Sequence, residues 1–272
     1  GMDNYYWFEN GRCFFTDADD RDDLEEDSGG DDGLNGYHST GRGVFFEEQA
    51  VDKTRPCLGV ELEVYCNDSR RQTVKNLRKT YPKDQLIMER DGSLDDDQGF
   101  EIVTRPLGRT EWSDFGPELL KKLRANDVVG FNAPTGTGTY GIHVNLHRRW
   151  LSPLAEARIM MFLCANENKS FVRAIAQRDE IYDPSINIGQ LMKYEQTVVR
   201  IGGKGSRKFE STNGSYKYAP KIYGVGKYAP VNWKDNIAEF RIFQSTLNTG
   251  SFMKNLEFIW ALVEWTKPAA AT

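Results

Sequence analysis

Residues 57–64 read Cys57-Leu58-Gly59-Val60-Glu61-Leu62-Glu63-Val64. In a β-strand successive side chains point to opposite faces, so this run puts Glu61 and Glu63 on one face and Val60, Leu62 and Val64 on the other. The alternation recurs three times. In GFEIVTRPL (99–107), Glu101, Val103 and Arg105 oppose Ile102 and Thr104. In GIHVNLH (141–147), His143, Asn145 and His147 oppose Ile142, Val144 and Leu146, and in AEFRIF (238–243), Glu239 and Arg241 oppose Phe240 and Ile242. Four such strands side by side make a sheet with one apolar face and one face of acids, imidazole and guanidinium. That second face suits a magnesium phosphate.

Any antiparallel sheet with one solvated side alternates in this way. Residue choice argues for chemistry instead, because glutamate is depleted from strands. The chain also has only three histidines, two of which fall on one of these strands.

At 272 residues and 39% hydrophobic, the chain can bury a large core. No apolar run approaches the roughly 20 residues that cross a bilayer. No charged-then-apolar leader is present, and the expectation is a soluble, cytoplasmic protein. Cys13, Cys57, Cys66 and Cys164 form no Cys-x-x-Cys pair, so they read as reduced thiols rather than a zinc knuckle or disulfide framework.

Charge is unevenly spread. Residues 1–32 hold twelve acids and two bases, so of the 40 acids and 35 bases in the chain the remainder keeps 28 and 33, a net of about +5. A mildly basic body attracts polyanions such as ATP, but falls short of the strongly basic surround of a nucleic-acid enzyme. Residues 1–15 are strongly aromatic and form a hairpin turning at Asn10-Gly11. Residues 16–54 are too acidic and too poor in apolar side chains to fold alone, and read as a flexible spacer. Their aspartates do not keep the glycine and terminal glutamate spacing of a calcium-binding EF-hand.

From residue 55 to 272 the pattern is mixed α and β. Asp68 or Ser69 caps a helix that Pro82 closes, LIMERD (86–91) reads as a strand, and Thr110 or Ser113 opens a second helix. PTGTGTYG (134–141) lacks the Gly-Lys-Ser/Thr of a phosphate-binding P-loop. Ser152 with Pro153 starts one long helix through Arg178. Residues 200–227 carry seven basic residues with almost no periodicity, the composition of a lid over a nucleotide. A strand around KYAPVNW, the strand AEFRIF and an amphipathic helix from Gly250 to about Thr266 close the chain.

Taken in order, GVELEV (59–64), ERDGSL (89–94) with GFEIVTRPL, GIHVNL (141–146), KYAPVN (227–232) with AEFRIFQSTLN (238–248), and the closing helix resemble the amidoligase family. These are carboxylate-amine ligases that share the glutamine synthetase catalytic fold, and the resemblance covers about residues 57 to 266. It implies an α+β fold: a curved antiparallel sheet with helices on its outer face and metals, ATP and substrate on its inner face. It also implies that ATP is used to form an amide. An amino-acid or peptide carboxylate takes the γ-phosphate, and an amine then displaces phosphate from the acyl phosphate.

By this resemblance Glu63 and Glu101 hold one magnesium with Asp91 beside them, and Glu61, His143 and Glu239 hold another. Manganese suits a histidine ligand better. Arg241 neutralises the transferring phosphoryl group. Lys227, Asn232 and Arg178 match the nucleotide side, while Arg105, Asn145 and His147 face the substrate, Arg105 being able to pair with a carboxylate in bidentate fashion. Two plainer roles compete: His143 can simply hydrogen-bond a neighbouring carboxylate, and Arg241 can form a salt bridge to Glu239 or Glu101 that holds the strands.

Clustered carboxylates with a histidine also serve two-metal phosphoesterases and nucleases. A non-catalytic binding protein on the same scaffold is the third possibility. The expected partners are ATP, a carboxylate and an amine, with no membrane or nucleic acid, and association into oligomers is open.

Overall fold

The computed structural model describes residues 5–9 and 12–16 by their backbone, and residues 33–35, 55–83, 85–94, 97–130, 140–178, 229–234 and 236–267 in full or nearly so. The acidic run 17–32, the glycine-rich stretch 131–139 and the basic segment 200–227 lie outside the described residues, as does Lys227. The chain falls into two compact units, residues 1–142 with 245–253, and residues 143–244 with 254–272. Both mix strands and helices, and every strand pair whose register is given is antiparallel.

The first unit opens with β1 (Tyr5–Glu9) and β2 (Arg12–Thr16), which pair antiparallel with Phe8 opposite Cys13, as the Asn-Gly dipeptide between them implies. Its main sheet is built on β3 (Leu58–Cys66). Helix α1 (Arg70–Thr80) follows. The Ser69 hydroxyl caps its start by accepting from the Gln72 N–H at 3.3 Å, and extended Tyr81 ends it ahead of Pro82. The strand β4 (Leu86–Glu89) and β5 (Gly99–Thr104) come next, and β5 lies between β4 and β3 in the sheet. Helix α2 (Arg109–Ala125) starts one residue before the expected Thr110, because the Glu111 carboxylate accepts the Gly108 N–H at 2.9 Å. The two-residue strand β6 (Val128–Val129) then pairs with β3.

Register in this sheet is held at both ends of β3. Leu58 exchanges backbone hydrogen bonds with Leu107, and its carbonyl also accepts the Trp112 indole N–H at 2.8 Å. The Val60 N–H donates to the Thr104 hydroxyl. Val60, Leu62 and Val64 are nearly inaccessible to solvent, as are Phe100, Ile102, Leu86, Met88, Leu77 and Trp112. Two residues of the expected spacer are also docked here: Asn35 forms a parallel bridge with Glu89, and Leu34 is buried.

The boundary between units falls within β7 (Gly141–His147) and again within the last helix, α5 (Thr249–Thr266). The second unit contains most of β7, then α3 (Pro153–Cys164), α4 (Lys169–Ala176), β8 (Val231–Trp233) and β9 (Ile237–Gln244), with strand order β7-β9-β8. The single long helix expected from Ser152 through Arg178 is two helices. Ala165 is extended, and the Asn168 side-chain amide donates to the Phe162 carbonyl at 3.0 Å. An asparagine that competes for helix carbonyls favours such a stop, which the apolar periodicity does not register.

Arg148 ties this unit together. Its guanidinium grips the Glu156 carboxylate with two hydrogen bonds of 2.8 and 2.9 Å, donates to the Lys234 carbonyl at 3.0 Å, and lies over the Trp233 ring. Both Arg148 and Glu156 are buried.

Cys66 and Cys164 are free and buried, as expected of reduced thiols, and Cys57 is buried as well. Burial pushes the Cys66 thiol up to about 11 and the Cys164 thiol up to about 12. Among the described residues no helix is long and apolar enough to cross a membrane.

Removing one partner of a buried pair leaves an uncompensated charge, so Glu156→Gln is expected to destabilise the protein by about 3 kcal/mol. Urea unfolding measures this, and an unchanged midpoint would show that the pair is not a structural tie.

Candidate functional site

Directly opposed residues in an antiparallel pair project to the same face with Cβ atoms about 5 Å apart. Glu63 of β3 is opposite Glu101 of β5, and Glu101 is opposite Glu89 of β4. Three adjacent strands therefore carry three glutamates in one row, with exposures of 5%, 2% and 0%. Glu61 shares that face, opposite Val103, and is equally buried. This face is not the solvated side of an ordinary antiparallel sheet. Like charges set directly opposite repel, and burial adds a desolvation cost, so acids placed here cost free energy unless positive charge offsets them.

Carboxylate oxygens of Glu63, Asp91 and Glu101 lie within 4.8 Å of one another. Oxygens around one magnesium are about 3 to 4 Å apart, given metal–oxygen distances of about 2.1 Å, so small side-chain adjustments bring all three onto a single ion. An all-oxygen donor set fits a hard divalent cation such as magnesium, calcium or manganese.

The backbone fixes this trio. Glu63 Oε2 accepts the Gly141 N–H, and the Glu63 carbonyl accepts the Ser245 hydroxyl at 2.6 Å. Ser245 is seated against Gly130, where a Cβ would stand 2.8 Å from Ser245 Oγ and 3.0 Å from its backbone. Only glycine allows that approach. Asp91 follows β4 in a turn where a single oxygen, Oδ1, accepts both the Ser93 N–H and the Ser93 hydroxyl at 2.8 Å.

The second unit has a different centre. Glu239 is 1% exposed, and four donors surround its carboxylate. Oε1 takes Arg241 Nη1 and lies 3.5 Å from His143 Nδ1. Oε2 takes Asn232 Nδ2 at 2.9 Å and Lys234 Nζ at 2.8 Å. The register explains part of this, because Asn232 is directly opposite Glu239 and Arg241 is two residues further along the same face. Asn232, Lys234 and Arg241 thus donate to this carboxylate, with His143 close by. A metal at Glu239 would have to displace one of them. Both plainer roles weighed from the sequence, His143 beside a carboxylate and Arg241 bridged to Glu239, are what this unit contains.

Of the expected second metal trio, Glu61 and His143 offer ligand atoms that lie within 4.8 Å of one another together with Glu101, a buried cluster of acids and imidazole that could hold a metal ion, and Glu239 is not part of it. Arg105 is one residue beyond the end of β5, its guanidinium 3.9 Å from Glu111 and both side chains largely exposed. Asn145 is buried in β7. His147 ends that strand, and its Nδ1 accepts the Arg149 N–H at 3.1 Å. Arg178 donates to the Arg241 carbonyl at 3.5 Å. Two residues escaped the sequence reading. Glu89 belongs to a strand, LIME, with no acid pair to flag it, and Lys234 follows a strand too short to show alternation.

No protein-family model matches the chain, and no curated protein matches it in sequence.

Two outcomes follow from this geometry. Manganese binding, followed by paramagnetic resonance, is expected to weaken about 10-fold or more in Glu101→Gln, since ligand charge sets affinity at such sites. Equal affinity would remove Glu101 from the site. His147 titrates below the usual imidazole value of 6.5, first because it is buried and then because Arg149 is near. The unfolded chain therefore binds that proton more readily. Stability from His147 is complete above pH 6.5 and is lost as pH falls through the lowered value. Replacing His147 with Asn keeps an acceptor without the titration, so the acid-side loss should shrink in thermal melts. An identical profile would contradict this.

Proposed function

We propose that this protein is an ATP-dependent carboxylate-amine ligase of the amidoligase kind, with a glutamine synthetase-like catalytic fold. The supporting observation is the buried pairing of Glu63 with Glu101 beside Asp91. Carboxylates are held there at a separation one divalent cation can bridge, on strands that match the ordered motifs of that family.

In this reading Glu63, Asp91 and Glu101 would hold magnesium, which would supply positive charge to neutralise phosphate oxygens. Arg241 would offer its guanidinium to the negative charge of the phosphoryl group transferred from ATP to the substrate carboxylate. Buried Glu239 fixes the guanidinium so that little reorganisation is left to the reaction itself, the kind of preorganised electrostatics that contributes most in such chemistry. Asn232, locked to the same carboxylate, presents a rigid edge to nucleotide or substrate. An amine then attacks the acyl phosphate, forming the amide and releasing phosphate. The acid is an amino acid or peptide.

A metal-dependent phosphoesterase would use the same carboxylates but needs no nucleoside triphosphate. The two readings separate in one assay: magnesium and ATP with pooled amino acids and peptides, following ADP and the mass of any condensed product. The ligase predicts ADP in step with a product lighter by one water than its two substrates. Arg241→Ala is expected to lower turnover by about 100-fold or more. ADP without a condensed product, or phosphoester hydrolysis indifferent to ATP, would overturn the proposal.

A further inference from the structure

Glu239 has two permanent cations on one buried carboxylate. Lys234 Nζ is 2.8 Å from Oε2 and Arg241 Nη1 contacts Oε1, so among the described residues two cationic side chains meet this one carboxylate. His143 and Asn232 add donors without adding fixed charge. The carboxylate is 1% exposed, whereas the Lys234 and Arg241 side chains are 42% and 23% exposed. The carboxylate is therefore enclosed, while both cationic side chains keep access to solvent.

Lys234 is not a loosely held surface lysine. Its N–H donates to the Ile237 carbonyl at 2.9 Å, and its carbonyl accepts from Arg148 Nη1 at 3.0 Å. The Arg148 N–H also donates to the Asn236 carbonyl at 2.8 Å, fastening the far side of the same turn. Arg148 is itself buried and gripped by Glu156. The chain thus anchors the base of Lys234 with one ion pair and its tip with another. An ammonium has three N–H donors and a guanidinium five. Among the described residues each is shown giving one to Glu239, which leaves donors for a ligand with several acceptor oxygens.

We propose that Lys234 and Arg241 together hold one phosphoryl oxyanion, with Lys234 as a second anion-binding residue. The inference rests on the reading of Arg241 as the cation that meets the phosphoryl group, and adds a residue that the family resemblance does not imply. Glu239 keeps the two cations at a fixed separation and offsets part of their mutual repulsion, so the array is formed before an anion arrives.

Inorganic tripolyphosphate is a suitable probe, because it tests the anion site without any turnover. Calorimetric affinity should fall about 10-fold in Lys234→Met, which keeps the aliphatic stem, and recover in Lys234→Arg. Manganese affinity at Glu63, Asp91 and Glu101 should stay unchanged in both. Reductive methylation of the unaltered protein, read by mass spectrometry, should show Lys234 protected by tripolyphosphate, which keeps the test open if the Met variant does not fold. No binding by the unaltered protein, equal affinity in Lys234→Met, or no protection of Lys234 would each overturn the inference. If tripolyphosphate binding depends on Lys234 but no condensed product ever forms, the anion site stands and the ligase reading falls. If ligation proceeds with unchanged ATP KM in Lys234→Met, the ligase reading stands and Lys234 has no part in it.

Discussion

The register between β3 and β5 is the constraint on which the site depends. Side chains alternate with a period of two, so a slip of β3 by one residue would move Glu61 and Glu63 onto the apolar face, away from Glu101, and turn the aliphatics of β3 out. The chain resists that slip with interactions at both ends of the pair. Leu58 is tied to Leu107 and to the Trp112 indole, Val60 to the Thr104 hydroxyl, and Cys66 to the Gln98 carbonyl. Ser245, seated on Gly130, holds the Glu63 carbonyl from another segment. The result is a row of glutamates that repel one another in a place they could leave only by disrupting the core.

The two units solve the problem of buried carboxylate in opposite ways. Glu63, Asp91 and Glu101 direct oxygens toward one another, an arrangement that favours a cation. Glu239 is surrounded by donors, and its role is to organise positive charge. Buried ion pairs add little net stability compared with apolar residues of similar size, so neither arrangement is explained by folding alone. The first unit thus has a carboxylate cluster that could hold a cation, and the second a carboxylate that gathers cationic side chains.

Much of this was legible in the sequence, and the failures have identifiable causes. The strands carrying Glu61 and Glu63, Glu101, His143 and Glu239 were marked by strict alternation, and the Ser69 and Ser152 caps and Pro82 located helix ends. Alternation fails where a strand stops. Arg105 and His147 were assigned to a cleft by extending the pattern to or past the last strand residue, where the chain turns and the side chains meet Glu111 and the Arg149 N–H. Glu89 was hidden because one acid in a four-residue strand makes no pattern, and only the pairing with β5 reveals its place in the row. The counter-ions of Glu239 could not be foreseen either, since residue order does not tell which of several bases reaches a buried carboxylate.

Anomalous diffraction from crystals grown with manganese and a non-hydrolysable ATP analogue tests the central claim most directly. The account predicts a manganese peak bonded to oxygens of Glu63, Asp91 and Glu101, at about 2.2 Å from each, a little longer than magnesium–oxygen distances. Well-ordered crystals with those three carboxylates free of metal, or with manganese bound only elsewhere, would contradict it.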